Sequence, residues 1–348
     1  MSDSTLKSLM GFVVANITVV MLGLFLFPAH TTAVGQCYST VFANFDPVHV
    51  LQRVALLAVC LLIEWRFLGW QDCSLRKLLW PSRSAWHDLG IGVINLCGFA
   101  IILFLFFTAN VIPVLPASTR QLVGIEWIRR TDNLFFQIVF WFVLRDFALY
   151  WFHRLLHEFA FAWEVHKYHH SATVFTMLTA SRVHFLERAL SHVFVTLPLV
   201  MLGMPGEPFL AIAILNDALS RFHHSMVNWG FGWIGWIVVS PVAHRIHHSY
   251  LPEHWDVNFG DSLTIWDRLF GTYYAGHTVN TEVGVTDNRI DDEDIVGGLL
   301  IPYALSIRRF GDSLRTNEWR LTSGSRQNVA NSGINLETHD DSVAQRAA

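Results

Sequence analysis

The sequence predicts an all-α integral membrane protein with four long transmembrane helices, a short membrane hairpin and a histidine-rich helical cap on the cytoplasmic side. Three observations lead to this fold class. Of the 348 residues, 52% are hydrophobic and 15% are charged, which is too apolar for an ordinary soluble globule. The apolar residues form long runs with few charges. The histidines are concentrated in one stretch, since twelve of the eighteen lie between residues 150 and 249.

Four apolar runs predict the long transmembrane helices. A bilayer crossing needs about 20 apolar residues. The runs cover residues 8–28, 54–70, 89–114 and 133–152. The first run is not closed by a small-x-small cleavage site, so we expect a retained helix rather than a signal peptide. Charged residues interrupt the second run, whereas the third is nearly free of charge.

Two shorter apolar runs predict the membrane hairpin. They cover residues 190–202 and 209–219 and flank the turn sequence Gly-Met-Pro-Gly at 203–206. Each run is short, so we expect the hairpin to cross part of the bilayer. From Thr316 onward the chain becomes polar and rich in Ser, Asn, Asp and Arg, which predicts a mobile tail.

The distribution of positive charge predicts the orientation. Basic residues follow the second apolar run, whereas the connection at residues 29–48 has no Lys or Arg. Positive charge favours the cytoplasmic side, so the segment after the second apolar run is predicted to be cytoplasmic. The third and fourth helices then cross the membrane out and back, which places the histidines from His153 onward on the cytoplasmic side. The cytoplasmic basic residues are Arg76, Lys77 and Arg83. Three arginines fall on the outer side against this rule: Arg120, Arg129 and Arg130.

Charge and cysteine content exclude several classes of protein. The formal net charge is −4, and no Lys/Arg-rich run is present, so nucleic acid is not a predicted partner. The four cysteines, Cys37, Cys60, Cys73 and Cys97, lie far apart in the sequence. Their spacing fits neither a disulfide framework nor an iron–sulfur site. Any redox chemistry is therefore predicted to use other residues.

The histidine spacing indicates bound metal. His153 and His157 are four residues apart, so a helix places them on one face. His169 and His170 follow His166 by three and four residues, so they lie beside it on a helix face as well. One zinc takes about four ligands, so the pool suffices for two ions. Imidazole binds zinc, copper, nickel and iron alike, so it does not name the metal. The candidate ligands are His153, His157, His166, His169, His170, His184, His223, His224, His244, His247 and His248.

Other residues near these groups have ordinary structural explanations. Single histidines near a membrane interface are usually surface or hydrogen-bonded residues, and this interpretation is adopted for His30, His49, His87, His192, His254, His277 and His339. Asp146 is interpreted either as an acceptor that orients an imidazole or as an ion-pair partner of Arg145 or Arg154. Three tryptophans at helical spacing, Trp229, Trp233 and Trp236, favour an interfacial belt over a substrate box.

Six segments carry a family resemblance. YWFHRLLH begins at Tyr150, WEVHKYHHSA at Trp163, and HRIHHS at His244, followed by DVNFGDSLTIWDRLFGTYY from Asp256. TASRVHFLE at 179–187 resembles an Arg-x-His-Pro-Leu-Glu element, with Phe185 at the proline position. RFHHSMV at 221–227 resembles a further histidine element. Together these segments resemble the sterol desaturase and fatty acid hydroxylase superfamily over about residues 135–275.

The resemblance implies a membrane oxygenase with a di-iron centre that uses O₂ to hydroxylate or desaturate a lipid C–H bond. It implies nine ligands: His153, His157, His166, His169, His170, His223, His244, His247 and His248. Hydropathy, composition and the resemblance together divide the chain into an N-terminal transmembrane region at 1–132, a fatty acid hydroxylase/sterol desaturase-like catalytic domain at 133–275 and a C-terminal segment at 276–348 with a polar, disordered tail. Acyl chains, sterols, ether lipids and carotenoids all stay open as substrates, with hydroxylation slightly preferred.

Motif absences predict a separate electron donor. The sequence has no Gly-x-Gly-x-x-Gly nucleotide loop and no haem-binding Cys-x-x-Cys-His, so a ferredoxin, cytochrome or reductase is implied. Two other classes of protein are open alternatives. A zinc-dependent membrane hydrolase would need a motif such as His-Glu-x-x-His, but Phe159-Ala160-Phe161 follow His157-Glu158. A metal transporter or sensor would hold its ligands within membrane helices rather than beyond them.

Overall fold

The computed structural model describes residues 47–96, 133–202, 204–274, 282–286 and 289–321. Within these ranges the chain is helical, and its β contacts are isolated bridges rather than strands. In chain order the α-helices are α1 (Pro47–Leu68), α2 (Ser74–Leu79), α3 (Arg83–Leu96), α4 (Leu134–Glu158), α5 (Ala160–His170), α6 (Phe185–Ser191), α7 (Leu197–Met201), α8 (Gly206–His223), α9 (Pro241–His247), α10 (Ile265–Leu269), α11 (Arg289–Asp292) and α12 (Ile295–Thr316). The all-α class is thus confirmed for the described residues.

Among the described residues, α4 is the one helix that is long and apolar enough to cross a membrane. The predicted helix at 8–28 lies outside the described residues, and so does the predicted helix at 89–114 beyond Leu96. The predicted helix at 54–70 corresponds to α1, which starts earlier, at Pro47. The number of crossings and the cytoplasmic side of the histidines stay predictions, as does the tail beyond Leu321.

Helix α4 positions the first two histidines. It begins at Asn133, whose side chain accepts a hydrogen bond from the Phe136 backbone N–H at 3.0 Å. It runs to Glu158, six residues beyond the predicted end at 152. The helix ends there because Phe159 adopts an extended conformation. His153 and His157 therefore lie on the last turns of α4 and not in a segment that follows it.

The two halves of α4 have different surroundings. Large apolar side chains are exposed along the first half, as in Phe135 at 76% exposure, and this half is suited to contact with lipid. From Asp146 onward the helix buries polar as well as apolar side chains, including Tyr150 and His157. The change of surroundings falls two turns before His153, so the histidines lie in the protein interior beyond the apolar surface.

The predicted hairpin packs against α4 but is less regular than the sequence indicates. A π-helical turn at His192–Thr196 separates α6 from α7, so the first apolar run is not one continuous helix. The second run lies within α8, which packs on α1 and α4. Trp141 of α4 and Ile212 of α8 are fully buried in the shared core, together with Val195, Leu199 and Met204.

Helix α5 is held between α4 and α12. The chain reverses at Phe159, and residues beyond α12 close the junction, since the Leu321 backbone N–H donates to the Glu158 carbonyl at 2.9 Å. On the other side, Tyr168 of α5 packs with Ile91, Ile290 and Leu299 in a second core. Both neighbours fix the rotation of α5, and with it the direction of its three histidines.

Candidate metal centre

Nine buried or nearly buried histidines meet in two adjoining clusters. Helices α4, α5 and α9 and the residues that end α8 and α9 supply them. The first group consists of His153, His157, His166, His170 and His247, and the second group of His169, His224, His244 and His248. In each group one ring nitrogen per histidine lies within 4.8 Å of all the others. Each group could therefore hold one metal ion.

The two groups share a wall. The rings of His170 and His248 stack with centroids 4.2 Å apart and an angle of 19° between their planes. His169 and His170 are neighbours on α5 but belong to different groups, and so are His247 and His248 at the end of α9. Successive helical residues point about 100° apart, so each pair reaches both groups. The arrangement suits two metal ions close together.

Backbone carbonyls orient several of the rings. In the first group the Nδ1–H of His153 donates to the Phe259 carbonyl at 2.9 Å, and that of His247 to the Val257 carbonyl at 2.7 Å. In the second group His169 donates to the Arg182 carbonyl at 3.1 Å, and His224 to the Ser220 carbonyl at 2.7 Å. A carbonyl accepts but does not donate, so Nδ1 carries the proton of each neutral ring. The lone pair is then on Nε2.

These lone pairs point at one another. Nε2 of His247 lies 3.0 Å from Nε2 of His153, and the corresponding distance from His224 to His169 is 3.3 Å. Two acceptor nitrogens cannot share a hydrogen bond without an added proton. A separation near 3 Å is the spacing of two nitrogens bound to one ion about 2.1 Å from each. The facing nitrogens therefore fit a bound metal ion, which would account for their short separation.

Burial keeps the imidazoles neutral, as metal ligands must be. Loss of hydration lowers the pKa of His224 and of His247 to about 3. It also holds the pKa of His169, His170, His244 and His248 well below its usual range, and the neighbouring imidazoles act in the same direction. Both nitrogens of His248 are buried without a hydrogen-bond partner among the described residues, so one of them is available to an ion, whereas His244 directs Nε2 toward His224 and leaves its Nδ1 without a partner.

Acid is expected to destabilise the metal-free protein. The unfolded chain protonates its histidines below about pH 6.5, whereas burial keeps the pKa of His224 and His247 in the folded chain at about 3. The unfolded state then binds more protons, so the free energy of unfolding falls as the pH falls. Thermal melting of chelator-treated protein between about pH 7.5 and about pH 5.5 should show a decreasing Tm. A constant Tm would contradict this assignment.

Two of the predicted ligands lie outside both groups. His223 points away, with Nε2 3.1 Å from the Val239 carbonyl, while its neighbour His224 is in the second group. His184 caps α6, where its Nδ1 accepts from the Leu186 backbone N–H at 3.2 Å and its Nε2 donates to the Leu299 carbonyl at 2.9 Å. The hydrogen bonds of His184 make it a link between α6 and α12.

Two aspartates hold the loop that orients the first group. Asp267 accepts from the backbone N–H groups of Phe259 and Gly260 at 2.7 and 2.8 Å. A side chain at Gly260 would meet the Leu263 carbonyl at 2.7 Å, so glycine is required there. Asp146 accepts from the Ser262 N–H at 2.9 Å and from the Trp266 indole at 2.8 Å, and not from an imidazole. The N-F-G and W-D-R elements therefore place the carbonyl that binds His153.

Arg182 holds the second group from the opposite side. Its guanidinium is fully buried and pairs with Asp291 at 2.9 Å and Asp88 at 3.4 Å. Nε donates to the Tyr168 carbonyl at 3.1 Å, next to His169. Sequence reasoning missed Asp88 and Asp291 because nothing in their local sequence distinguishes them, although the Arg-x-His element pointed to Arg182.

A cavity of about 80 Å³ opens onto the first group. It is lined by His157, His170 and His247, and also by Lys167 and Arg309. Both cations pair with Glu164, at 2.7 and 3.3 Å. The tryptophans considered as a substrate box do not line this cavity, and Trp233 and Trp236 are exposed.

Comparison with known proteins identifies the family of the central region. Residues 138–272 match the fatty acid hydroxylase family. The chain is 33% identical over 152 residues to an ornithine lipid hydroxylase of Rhizobium tropici, covering 43% of this chain and 46% of that protein. It is 36% identical over 130 residues to the alkylglycerol monooxygenase of Xenopus tropicalis, covering 37% and 28%.

A third relative extends the comparison to the desaturases. The chain is 27% identical over 146 residues to a Delta(7)-sterol 5(6)-desaturase of Gibberella zeae, covering 40% of this chain and 38% of that protein. All three matches span less than half of the relative's length. No solved structure matches significantly. Residues 138–272 therefore carry a fatty acid hydroxylase domain, and over this region the chain is similar to lipid hydroxylases, monooxygenases and desaturases.

Proposed function

We propose that the protein is a membrane-bound non-haem di-iron oxygenase that hydroxylates or desaturates a C–H bond of a lipid, using O₂ and electrons from a separate donor. The observation that carries the proposal is the pair of adjoining groups of buried, neutral imidazoles. The family match and the lipid-modifying relatives support the same reaction class. Two relatives are by name a hydroxylase and a monooxygenase, which favours hydroxylation over desaturation.

The first group would hold one iron and the second group the other. Two irons so bound would supply the activation of O₂ that attack on an unactivated C–H bond requires. The protein's own contribution is to fix the rings, since the carbonyls that accept from Nδ1 leave each Nε2 ready to bind. Burial of the histidines also excludes bulk water from the reacting atoms.

The surroundings of the site suit a lipid substrate. The exposed apolar first half of α4 and the exposed apolar side chains of α1 would lie in the bilayer. The last turns of the same helix α4 carry His153 and His157, so a lipid lying against this surface would lie along the helix that leads to the histidines. The relatives' names refer to an ornithine lipid, an alkylglycerol and a sterol, so we propose a lipid and leave its class to experiment.

The two alternative functions have less support. A zinc hydrolase requires a carboxylate base beside its ligands. The chain lacks the His-Glu-x-x-His motif that supplies this base, and nine histidines gather here where such a site uses two or three. A transporter requires ligands along an ion path through the membrane. Here the ligands lie on the last turns of α4 and on α5 and α9, beyond the apolar surface.

Lipid analysis with measured metal content tests the function. Lipid extracts of cells with and without the protein should differ by a gain of one oxygen or a loss of two hydrogens. Growth under labelled O₂ should place the label in a hydroxylated product. Purified active protein should contain about two irons per chain. A single tightly held zinc in freshly prepared, active protein would rule out the di-iron proposal.

His224 and His223 provide a sharp test of the ligand set. Replacing His224 with Ala should remove metal from the second group and abolish turnover, since His224 contributes one of its four nitrogens. The His223→Ala variant should keep its metal, because His223 bonds to the Val239 carbonyl instead. Metal analysis of the two purified variants compares neighbours of equal size and burial. Metal loss in His223→Ala with retention in His224→Ala would reverse the assignment.

A further inference from the structure

Glu187 contacts the first group in a way that differs from the other supports. Its Oε1 accepts a hydrogen bond from Nδ1 of His166 at 2.9 Å. The side chain lies on the first turn of α6 and is 6% exposed. Its second oxygen, Oε2, is buried without a hydrogen-bond partner. A buried carboxylate is costly unless positive charge lies close by. A divalent ion bound to His166 would supply it.

The other oriented imidazoles are bonded to neutral groups. His153, His169, His224 and His247 all donate to backbone carbonyls. A carbonyl fixes the ring but carries no net charge. Asp256 also lies near the first group, but it is 3.7 Å from Nδ1 of His157 and its side chain is 49% exposed. Solvent therefore screens Asp256 much more than Glu187.

The second group is less well organised than the first. Nδ1 of His244 and both nitrogens of His248 lack hydrogen-bond partners. The hydrogen bonds described for its remaining members, His169 and His224, run to carbonyls and to other imidazoles. An ion in this group would be surrounded by neutral ligands, with fewer of the rings fixed in advance.

We propose that Glu187 is a positioning residue that acts through His166 and makes the first group the tighter of two unequal metal sites. The inference rests on the two-metal site of the proposed function. The carboxylate orients the ring, raises the electron density at its Nε2 and offsets part of the ionic charge in a buried site. The ion of the second group, without such a partner, dissociates first.

Cobalt titration tests the proposal without any assay of activity. The metal-free full-length chain in detergent is titrated with Co²⁺ alone under anaerobic conditions, and binding is followed by visible absorption. Wild type should show two classes of site. In Glu187→Gln the tight class should weaken about ten- to hundred-fold while the weak class is unchanged. The glutamine oxygen can still accept from His166 and carries no buried charge, so the metal-free Tm should equal or exceed that of wild type.

Three control variants assign the classes. His247→Gln should remove the tight class and His248→Gln the weak one, since they belong to different groups. Glu164→Gln changes another buried glutamate, on the same helix as His166, whose partners are Lys167 and Arg309. It should leave both classes unchanged. A merely structural role for Glu187 would instead lower the metal-free Tm or weaken both classes together.

The proposal fails if wild type shows one class of site, or if Glu187→Gln leaves the tight class unchanged or weakens both classes equally. These results are independent of catalysis. If two unequal Co²⁺ sites respond to Glu187→Gln as expected but no lipid is oxidised, the oxygenase proposal fails and the role of Glu187 stands. If lipid is oxidised but Glu187→Gln binds Co²⁺ as wild type does, the proposed role of Glu187 fails and the oxygenase proposal stands.

Discussion

Replacing His247 with Ala is expected to abolish lipid oxidation. His247 comes from α9, and its Nε2 lies 3.0 Å from that of His153 on α4, so it closes the first group across two helices. Loss of a residue that only supports a ligand typically costs ten- to hundred-fold in metal affinity or activity. Loss of the ligand itself should exceed about a hundredfold. Product formation in cells and metal content of the purified variant measure the effect.

Two observations separate a lost ligand from a lost fold. His247→Ala should remain in the membrane fraction and melt like metal-free wild type, since the cavity left by one imidazole borders the existing cavity. His339→Ala, which changes a histidine of the polar C-terminal segment, should match wild type in activity and metal content. Wild-type turnover in His247→Ala would exclude His247 from the ligand set.

Replacing Arg182 with Met is expected to cause the largest loss of stability. The change leaves Asp88 and Asp291 buried without their cation, and breaking such a buried pair typically costs about 3–5 kcal/mol. Burial already raises the pKa of Asp88 to about 6, against the lowering effect of the guanidinium. The variant also loses the bond to the Tyr168 carbonyl, which holds α5 in place. The Tm of metal-free protein in detergent should fall by several degrees.

A double variant tests whether the stranded charge causes the loss. Arg182→Met combined with Asp88→Asn removes one buried carboxylate, so it should melt above Arg182→Met alone. Arg182→Lys should be intermediate, because an ammonium cannot form the guanidinium's several directed bonds. An unchanged Tm in Arg182→Met, or a double variant that melts lower still, would contradict the role assigned to Arg182.

Local spacing in the sequence predicted much of the site. Residues four apart share a helix face, and His153 with His157 and His166 with His170 do lie in the same group, whereas His169, also expected on the face of His166, lies in the other. Apolar runs likewise predicted α4 and α8, although α4 extends further than expected because no helix-breaking residue follows 152. These features depend on the helical period, which the sequence carries directly.

The division of ligands between the groups could not be predicted in this way. His169 and His170 are adjacent, yet the rotation of α5 between α4 and α12 sends them to different groups. The same uncertainty affected His223 and His224, where the sequence resemblance favoured His223 and the structure places His224 among the four. The rotation of a helix about its own axis depends on the helices that pack against it. The spacing of two residues along the sequence therefore cannot predict it.

The sequence by itself determined the chemistry of this protein: an apolar chain, a pool of imidazoles sufficient for two ions, and the family to which its central region belongs. Only the tertiary structure decided which imidazoles face each other and which groups support them. Glu187 and Arg182 act across the packed interior on His166, His169 and distant carboxylates. Both residues lie in the Arg-x-His-Pro-Leu-Glu-like element of the sequence, but their contacts form only when segments far apart in the chain pack together, so the element does not name their partners.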